Sequence, residues 1–353
     1  MKYIALLVLA FGIVFYFGLK ANQSLPLQPS ATDIPTPSQS PVQKATSAIF
    51  VPYWSFTRTT NADEFDQVFY FGIAVDETGV NTQEIGYKKL AQFASTIPKE
   101  KETLLVVRMI DQENNFAVLK NPKVQEEIIN QTTTLAKQYS FEGIALDLEV
   151  SSLPFESITK QITTFTKLFY DKAKKENLQF NVLLYGDTFS KIRPYDVVEL
   201  RNYTDHILLM AYDFHKANGN PGPNFPFSGK ETYGYDFQTM VTDFLNLVPK
   251  EKLGVVFGMF GYDWIVDDQN ESVGLATSLS LNQMQRRFVD GCNFSDCSAV
   301  RDSTSAEMKV EYIDQSGKKH VVWFEDKESY LKKKEFLEQK GITNISFWAY
   351  SYF

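Results

Sequence analysis

The sequence is poor in the residues that build metal and redox centres. Its 353 residues include two cysteines and three histidines. His206, His215 and His320 are scattered, with no pair at ligand spacing, so no metal site is expected. Basic residues are also in deficit, with 35 Lys and Arg against 43 Asp and Glu and a formal net charge of −8. Such a chain has no basic field to collect phosphates, which argues against nucleic acid as a partner. No Gly-rich phosphate loop follows the first β-rich run, which argues against an open, doubly wound nucleotide-binding sheet. Cys292 and Cys297 stand in a polar stretch with Gly291 and Asn293. In an oxidising compartment they could close a small disulfide loop, the alternative being two free thiols.

Aromatic residues are plentiful: 29 Phe, 18 Tyr and 4 Trp. Aromatic faces suit sugar rings, although a Phe-rich core accounts for most of them. The run Tyr3–Leu19, between Lys2 and Lys20, carries no charge. As a helix it would span about 25 Å, near the lower limit for crossing a bilayer. No good cleavage site follows, so residues 1–21 are expected to form an uncleaved signal anchor rather than a removed signal peptide. Residues 22–47 hold five of the 14 prolines with many Ser, Thr and Gln, the composition of a disordered tether. Anchor and tether would place residues 48–353 outside the cytoplasm.

From Ala48 onward, short apolar runs alternate with amphipathic segments. Strands are expected at Ile49–Tyr53, Gln67–Ala74, Thr103–Ile110, Glu142–Glu149, Gln179–Tyr185, Asp205–Tyr212, Leu253–Met259 and Asn344–Tyr350. Helix-like patterns such as Val124–Gln138, Phe155–Glu176, Phe237–Leu247 and Lys327–Gln339 lie between them. This order predicts an α/β fold, a (β/α)8 TIM barrel. Between the seventh and eighth strands, a polar excursion of about residues 263–325 is expected to form a small α+β insertion. It contains a hairpin, Lys309–Asp314 and His320–Phe324, around Ser316-Gly317.

The most informative stretch is Phe141-Glu142-Gly143-Ile144-Ala145-Leu146-Asp147-Leu148-Glu149. It reads as a strand covered on both faces, yet Ala145, Asp147 and Glu149 share one of those faces. Two carboxylates on one buried face repel each other and are costly to desolvate. At the C-terminal end of a barrel strand, such a pair points to chemistry, with an ion-paired core network as the plain alternative.

Glu142-Gly143-Ile144-Ala145-Leu146-Asp147-Leu148-Glu149 resembles the Asp-Gly-x-Asp-x-Asp-x-Glu signature of the family 18 glycoside hydrolases, the chitinase family. Glu142 replaces the leading Asp and Ala145 replaces the first interior Asp. Leu209-Met210-Ala211-Tyr212-Asp213 resembles the family's Met-x-Tyr-Asp motif, and Trp348 in Phe347-Trp348-Ala349-Tyr350 its sugar-platform tryptophan. Each motif falls at an expected strand end. The family's insertion between strands seven and eight, and Val322-Trp323-Phe324-Glu325-Asp326-Lys327 as the return from it, extend the resemblance.

The resemblance implies that Glu149 is the general acid and that Asp147 and Tyr212 orient the substrate's acetamido group. Asp213 and Met210 would then bind the sugar, and Trp348 would form its floor. Tyr53, Trp54, Phe71 and Tyr185 could line the cleft. Arg108 interrupts an apolar strand and carries no assigned role. The expected protein is thus an extracytoplasmic glycosidase acting on N-acetylglucosamine-containing glycans such as chitin oligomers or peptidoglycan, with no cofactor. The alternatives are a glycan-binding protein of low turnover, which Ala145 favours, and a surface scaffold. The interior around Ala145 is expected to be polar, so restoring the carboxylate with Ala145→Asp is expected to leave the fold intact and to raise the Asp147 carboxyl through like-charge coupling.

Overall fold

A computed structural model describes residues 46–353. Eight parallel strands close a barrel: β1 (Thr46–Pro52), β2 (Gln67–Asp76), β3 (Glu102–Met109), β4 (Gly143–Leu148), β5 (Gln179–Tyr185), β6 (His206–Ala211), β7 (Leu253–Gly258) and β8 (Asn344–Trp348). β1 pairs with both β2 and β8, so the sheet has no free edge apart from the short antiparallel strand Gly79–Val80 alongside β2. Thr46 and Ser47, expected at the end of the tether, pair with Asn344 and Ile345 in the barrel. The expected anchor and the rest of the tether lie outside the described residues. Among the described residues, no helix is long and apolar enough to cross a membrane.

Strand parity sorts the core into two layers. Outward residues such as Ile144, Leu146, Val182 and Leu209 pack under the helices. Inward residues, among them Phe50, Phe69, Val106, Ala145, Leu183, Leu208 and Val256, fill the barrel interior, with Phe50 stacked on Phe69 at 4.6 Å.

The helices carry their boundary signals in the sequence. Pro122–Gln138 begins with Asn121 accepting a bond from Val124 N and with proline in the first turn. Glu156–Lys175 ends in Lys172, Lys174 and Lys175, which complement the negative end of its dipole. Lys327–Lys340 opens on an Asp326–Ser329 capping box. It stops at Gly341, whose φ of 78° favours glycine.

Between β7 and β8 lies a second, five-stranded antiparallel sheet. Its strand order is Thr277–Ser280, Phe260–Val266, Lys319–Phe324, Met308–Ile313 and Ser295–Arg301. The central hairpin is the one its turn sequence predicts. Phe260–Val266 starts before the expected excursion and follows β7 almost directly, one residue after Met259 N–H donates the last rung of the β7–β8 ladder to Trp348 O at 3.0 Å. Cys292 and Cys297 form a disulfide in this lobe, beside an apolar cluster that includes Phe288, Tyr312 and Phe324.

Lobe and barrel are joined by a buried ionic knot. Lys333, on the last helix, donates to Glu307 at 3.0 Å and to Glu325, and all three side chains are 0% exposed. Glu307 also accepts from the backbone N–H groups of Asn224 (2.6 Å) and Phe225 (2.8 Å) in the loop after β6.

Candidate active site

The acidic end of β4 follows from its alternation. Ile144, Leu146 and Leu148 point toward the helices, which turns Ala145 and Asp147 into the barrel. Asp147 is 2% exposed, and its Oδ1 has no hydrogen-bond partner. Burial, reinforced by the charge of Glu149 and opposed by Arg108, raises its carboxyl well above the usual range. Arg108 sits opposite Asp147 in the β3–β4 register. Its guanidinium lies 5.0 Å from the Tyr53 ring and 5.5 Å from the Phe71 ring, and it reaches Glu84 only at 4.0 Å.

Glu149 lies just beyond the strand and is half-buried. Its backbone is held from several directions. Its N–H donates to Met109 O at 2.8 Å, and Asn115 Nδ2 donates to its carbonyl at 2.7 Å. Tyr195 OH donates to Leu148 O and accepts from Val150 N, both at 2.8 Å. On the side chain, Tyr185 OH donates to Oε2 at 2.5 Å. Burial raises the Glu149 carboxyl, and Asp213 adds to the rise; the Tyr185 bond, Lys216 and Arg193 oppose it.

The end of β6 supplies Tyr212 and Asp213. Burial and the charges of Asp147 and Glu149 push the Tyr212 phenol far up, so it stays protonated and able to donate. Asp213 adopts a φ of 58°. Its N–H donates to Asn224 Oδ1 at 2.8 Å, and its carboxylate accepts from Tyr262 OH at 2.7 Å. Asn224 in turn donates to the carbonyls of Gly258 (3.0 Å) and Phe260 (3.2 Å). The loop after β6, the end of β7 and the lobe's first strand are thus tied at one point.

The end of β8 supplies an aromatic floor. Trp348 packs near-parallel to Tyr212 at 6.3 Å and edge-on to Phe71 at 4.7 Å and Trp54 at 6.2 Å. Tyr53 meets Trp54 at 5.0 Å, and Trp54 remains 48% exposed. Met210 is almost closed off, within the apolar barrel interior.

The structure therefore brings together Asp147, Glu149, Tyr212, Asp213, Met210, Trp348, Phe71 and Tyr53 at the C-terminal mouth. The environment of Ala145 differs from expectation. Its surroundings, Phe50, Phe69, Val106 and Leu183, are apolar; the polar exception is Asn181, its register partner on β5. Sequence reasoning also missed the contributions of Asn224 and Tyr262, which sit outside any barrel strand. Arg108 and Tyr185 were visible as polar groups on inward strand positions, but their partners were not. Among the described residues, no group of three or more His, Cys, Asp or Glu side chains could hold a metal ion. The arrangement can keep one carboxyl protonated beside a second acid, above an aromatic platform. That combination suits proton transfer to a sugar oxygen.

Comparison with known proteins agrees. The sequence profile of glycosyl hydrolases family 18 matches residues 29–352. The chain is 22% identical over 298 residues to the cortical fragment-lytic enzyme of Bacillus anthracis, covering 79% of this chain and 63% of that protein. It is 23% identical over 346 residues to the class V chitinase CHIT5 of Lotus japonicus, covering 88% and 83%. The crystal structure of the class V chitinase from Nicotiana tobaccum superposes with a TM-score of 0.74 at 16% identity, over 87% of this chain and 94% of that one. The chain spans 52–64% of the length of three of the Bacillus relatives it matches. The match over residues 29–352, on a closed eight-stranded parallel barrel, makes this chain a member of glycosyl hydrolases family 18.

Proposed function

We propose that this protein is an extracytoplasmic glycosidase that hydrolyses β-1,4-linked N-acetylglucosamine glycans, chitin oligomers or peptidoglycan, by substrate-assisted retaining catalysis. The observation that carries the reading is the buried Asp147–Glu149 pair at the end of β4, facing Tyr212 and the Trp348 floor. Protonated Glu149 gives its proton to the glycosidic oxygen as the anomeric bond breaks. The electron pair of that bond goes to the leaving oxygen, and the substrate's acetamido oxygen forms the new bond to the anomeric carbon. Asp147 orients the acetamido group, and the Tyr212 phenol donates to its carbonyl oxygen. Glu149, now a carboxylate, takes a proton from a water whose oxygen bonds to the anomeric carbon. The electron pair of the bond made by the acetamido oxygen returns to that oxygen, which completes hydrolysis.

Asp213 and Tyr262 hold a sugar hydroxyl, and Trp348 with Phe71, Tyr53 and Met210 shapes the bound ring. The chitinase and cortical fragment-lytic relatives support the substrate class. The uncharged run Tyr3–Leu19 and the Pro-rich stretch after it support an anchored, extracytoplasmic location. Glu149→Gln tests the reading. Hydrolysis of an unactivated chito-oligosaccharide should fall at least ~10²-fold.

The apolar bed under Asp147 favours a second reading, a slow or inactive glycan binder. With Ala145 beneath it, Asp147 has no carboxylate neighbour below to share a proton during the cycle. Measuring bound and released sugar on the same chitin oligomers and peptidoglycan separates the two: binding without product supports the second.

A further inference from the structure

We infer that Tyr185, clamped by the Arg193–Asp187 ion pair, is a positioning residue that dedicates one oxygen of Glu149 to the protein and leaves the other to protonate the leaving group. The inference rests on the reading of Glu149 as the acid. Tyr185 is the last residue of β5 and shares inward parity with Leu183. Its hydroxyl donates to Glu149 Oε2 at 2.5 Å. A donor at Oε2 leaves Oε1 as the oxygen that carries the acidic proton.

The ring is not free to turn away. The Arg193 guanidinium lies 3.7 Å from its centroid. That guanidinium is itself fixed by a two-point bond to Asp187, Nε to Oδ1 at 2.6 Å and Nη2 to Oδ2 at 2.9 Å, with both side chains 8% exposed. Arg193 Nη1 also donates to Ser151 Oγ at 3.3 Å, just past Glu149. Tyr195, two residues on, grips the backbone on either side of Glu149. One segment, 185–195, therefore fixes both the side chain and the main chain of the acid.

During glycoside cleavage the proton leaves Oε1 for the leaving oxygen, and the negative charge formed on Glu149 is met by the Tyr185 hydroxyl. Tyr185 itself neither loses nor gains a proton. A hydrogen bond to the charged form favours it, so loss of the hydroxyl raises the affinity of Glu149 for its proton. The other titratable groups facing Glu149 are Asp147 from the same strand end, Tyr212, Asp213 and Lys216 at and after the end of β6, and Arg193 and Tyr195 after β5. None of these is altered by Tyr185→Phe.

The test compares the full-length chain with its Tyr185→Phe and Glu149→Gln variants. Two substrates share one chitobiosyl glycone: a nitrophenyl glycoside, whose leaving group needs little protonation, and an unactivated chito-oligosaccharide. Tyr185→Phe should lower kcat about tenfold or more on the oligosaccharide and much less on the nitrophenyl glycoside. KM should stay within about twofold, and the basic limb of the pH–rate profile should move upward. Independently of turnover, the 13C-carboxyl titration of Glu149 should shift upward in the phenylalanine variant. Equal losses on both substrates, or an unmoved titration, would overturn the inference while leaving Glu149 in place. Full activity of Glu149→Gln would instead remove the acid assignment, and the inference with it.

Discussion

Two regions of this molecule bury carboxyl groups, and they treat them differently. At the lobe–barrel junction, Glu307 and Glu325 share Lys333 through direct hydrogen bonds, and Glu307 also accepts two backbone N–H groups. At the end of β4, Asp147 has an unpartnered oxygen and no cation in hydrogen-bond reach among the described residues, while Glu149 is met by a neutral phenol. The contrast is not absolute, since Glu325 Oε1 also lacks a partner. What separates them is the cation's position. Lys333 neutralises its acids on contact, whereas Arg108 acts on Asp147 from the side, against the rings of Tyr53 and Phe71. A buried acid pair with a contacting lysine holds elements together. One without it keeps a proton available for chemistry.

Breaking the junction should produce the largest effect. Lys333→Met leaves two buried carboxyls without their cation and should cost about 3–5 kcal/mol of stability, measured by denaturant unfolding. Loss below 1 kcal/mol would mean that the knot contributes little. The β4 pair should behave in the opposite sense. Asp147→Asn replaces a buried carboxyl that is costly to ionise there with a neutral amide of the same size, so stability should be kept or increased while hydrolysis falls by ~10²-fold. A variant that unfolds but retains specific activity would erase the distinction.

The bed beneath Asp147 gives a third, smaller test. Because Ala145 packs among Phe50, Phe69 and Val106, Ala145→Asp should destabilise by about 1–3 kcal/mol rather than be absorbed by a polar interior. Thermal unfolding of the variant measures this directly; an unchanged melting temperature would contradict the apolar packing.

The most gradual effect concerns pH. Burial and the Glu307 charge raise the Glu325 carboxyl from 4.5 to about 7, against the pull of Lys333. Between those values the native state holds a proton that the unfolded chain releases. Stability from this group is therefore greatest at the acid end, falls as pH rises through the window, and levels off above about 7. The slope cannot exceed ~1.4 kcal/mol per pH unit. Glu325→Gln should flatten it, as read by unfolding free energies at several pH values.

Much of this was legible in the sequence, for identifiable reasons. The barrel strands showed as apolar runs because both of their faces are covered. Asp147 and Glu149 stood out because charge is costly in such a run. Tyr212, Asp213 and Trp348 could be found because their motifs resemble those of the family and each falls at an expected strand end. What stayed hidden depends on contacts between distant segments. The lobe strands Thr277–Ser280 and Ser295–Arg301 are largely exposed and lack apolar alternation. The support given to Asp213 by Asn224 and Tyr262 joins a loop to another sheet. The polarity around Ala145 was misjudged because inward neighbours from β1, β2 and β3, not its own strand, determine it.

The most direct test of the account is a paired measurement on Glu149→Gln: oligosaccharide binding by calorimetry and hydrolysis of the same oligosaccharide. The amide keeps the size of the side chain and its contact with Tyr185 but has no proton to give. Binding should stay within a few-fold of the parent while hydrolysis falls at least ~10²-fold. Hydrolysis at the parental rate would contradict the claim that the buried pair at the end of β4 supplies the acid.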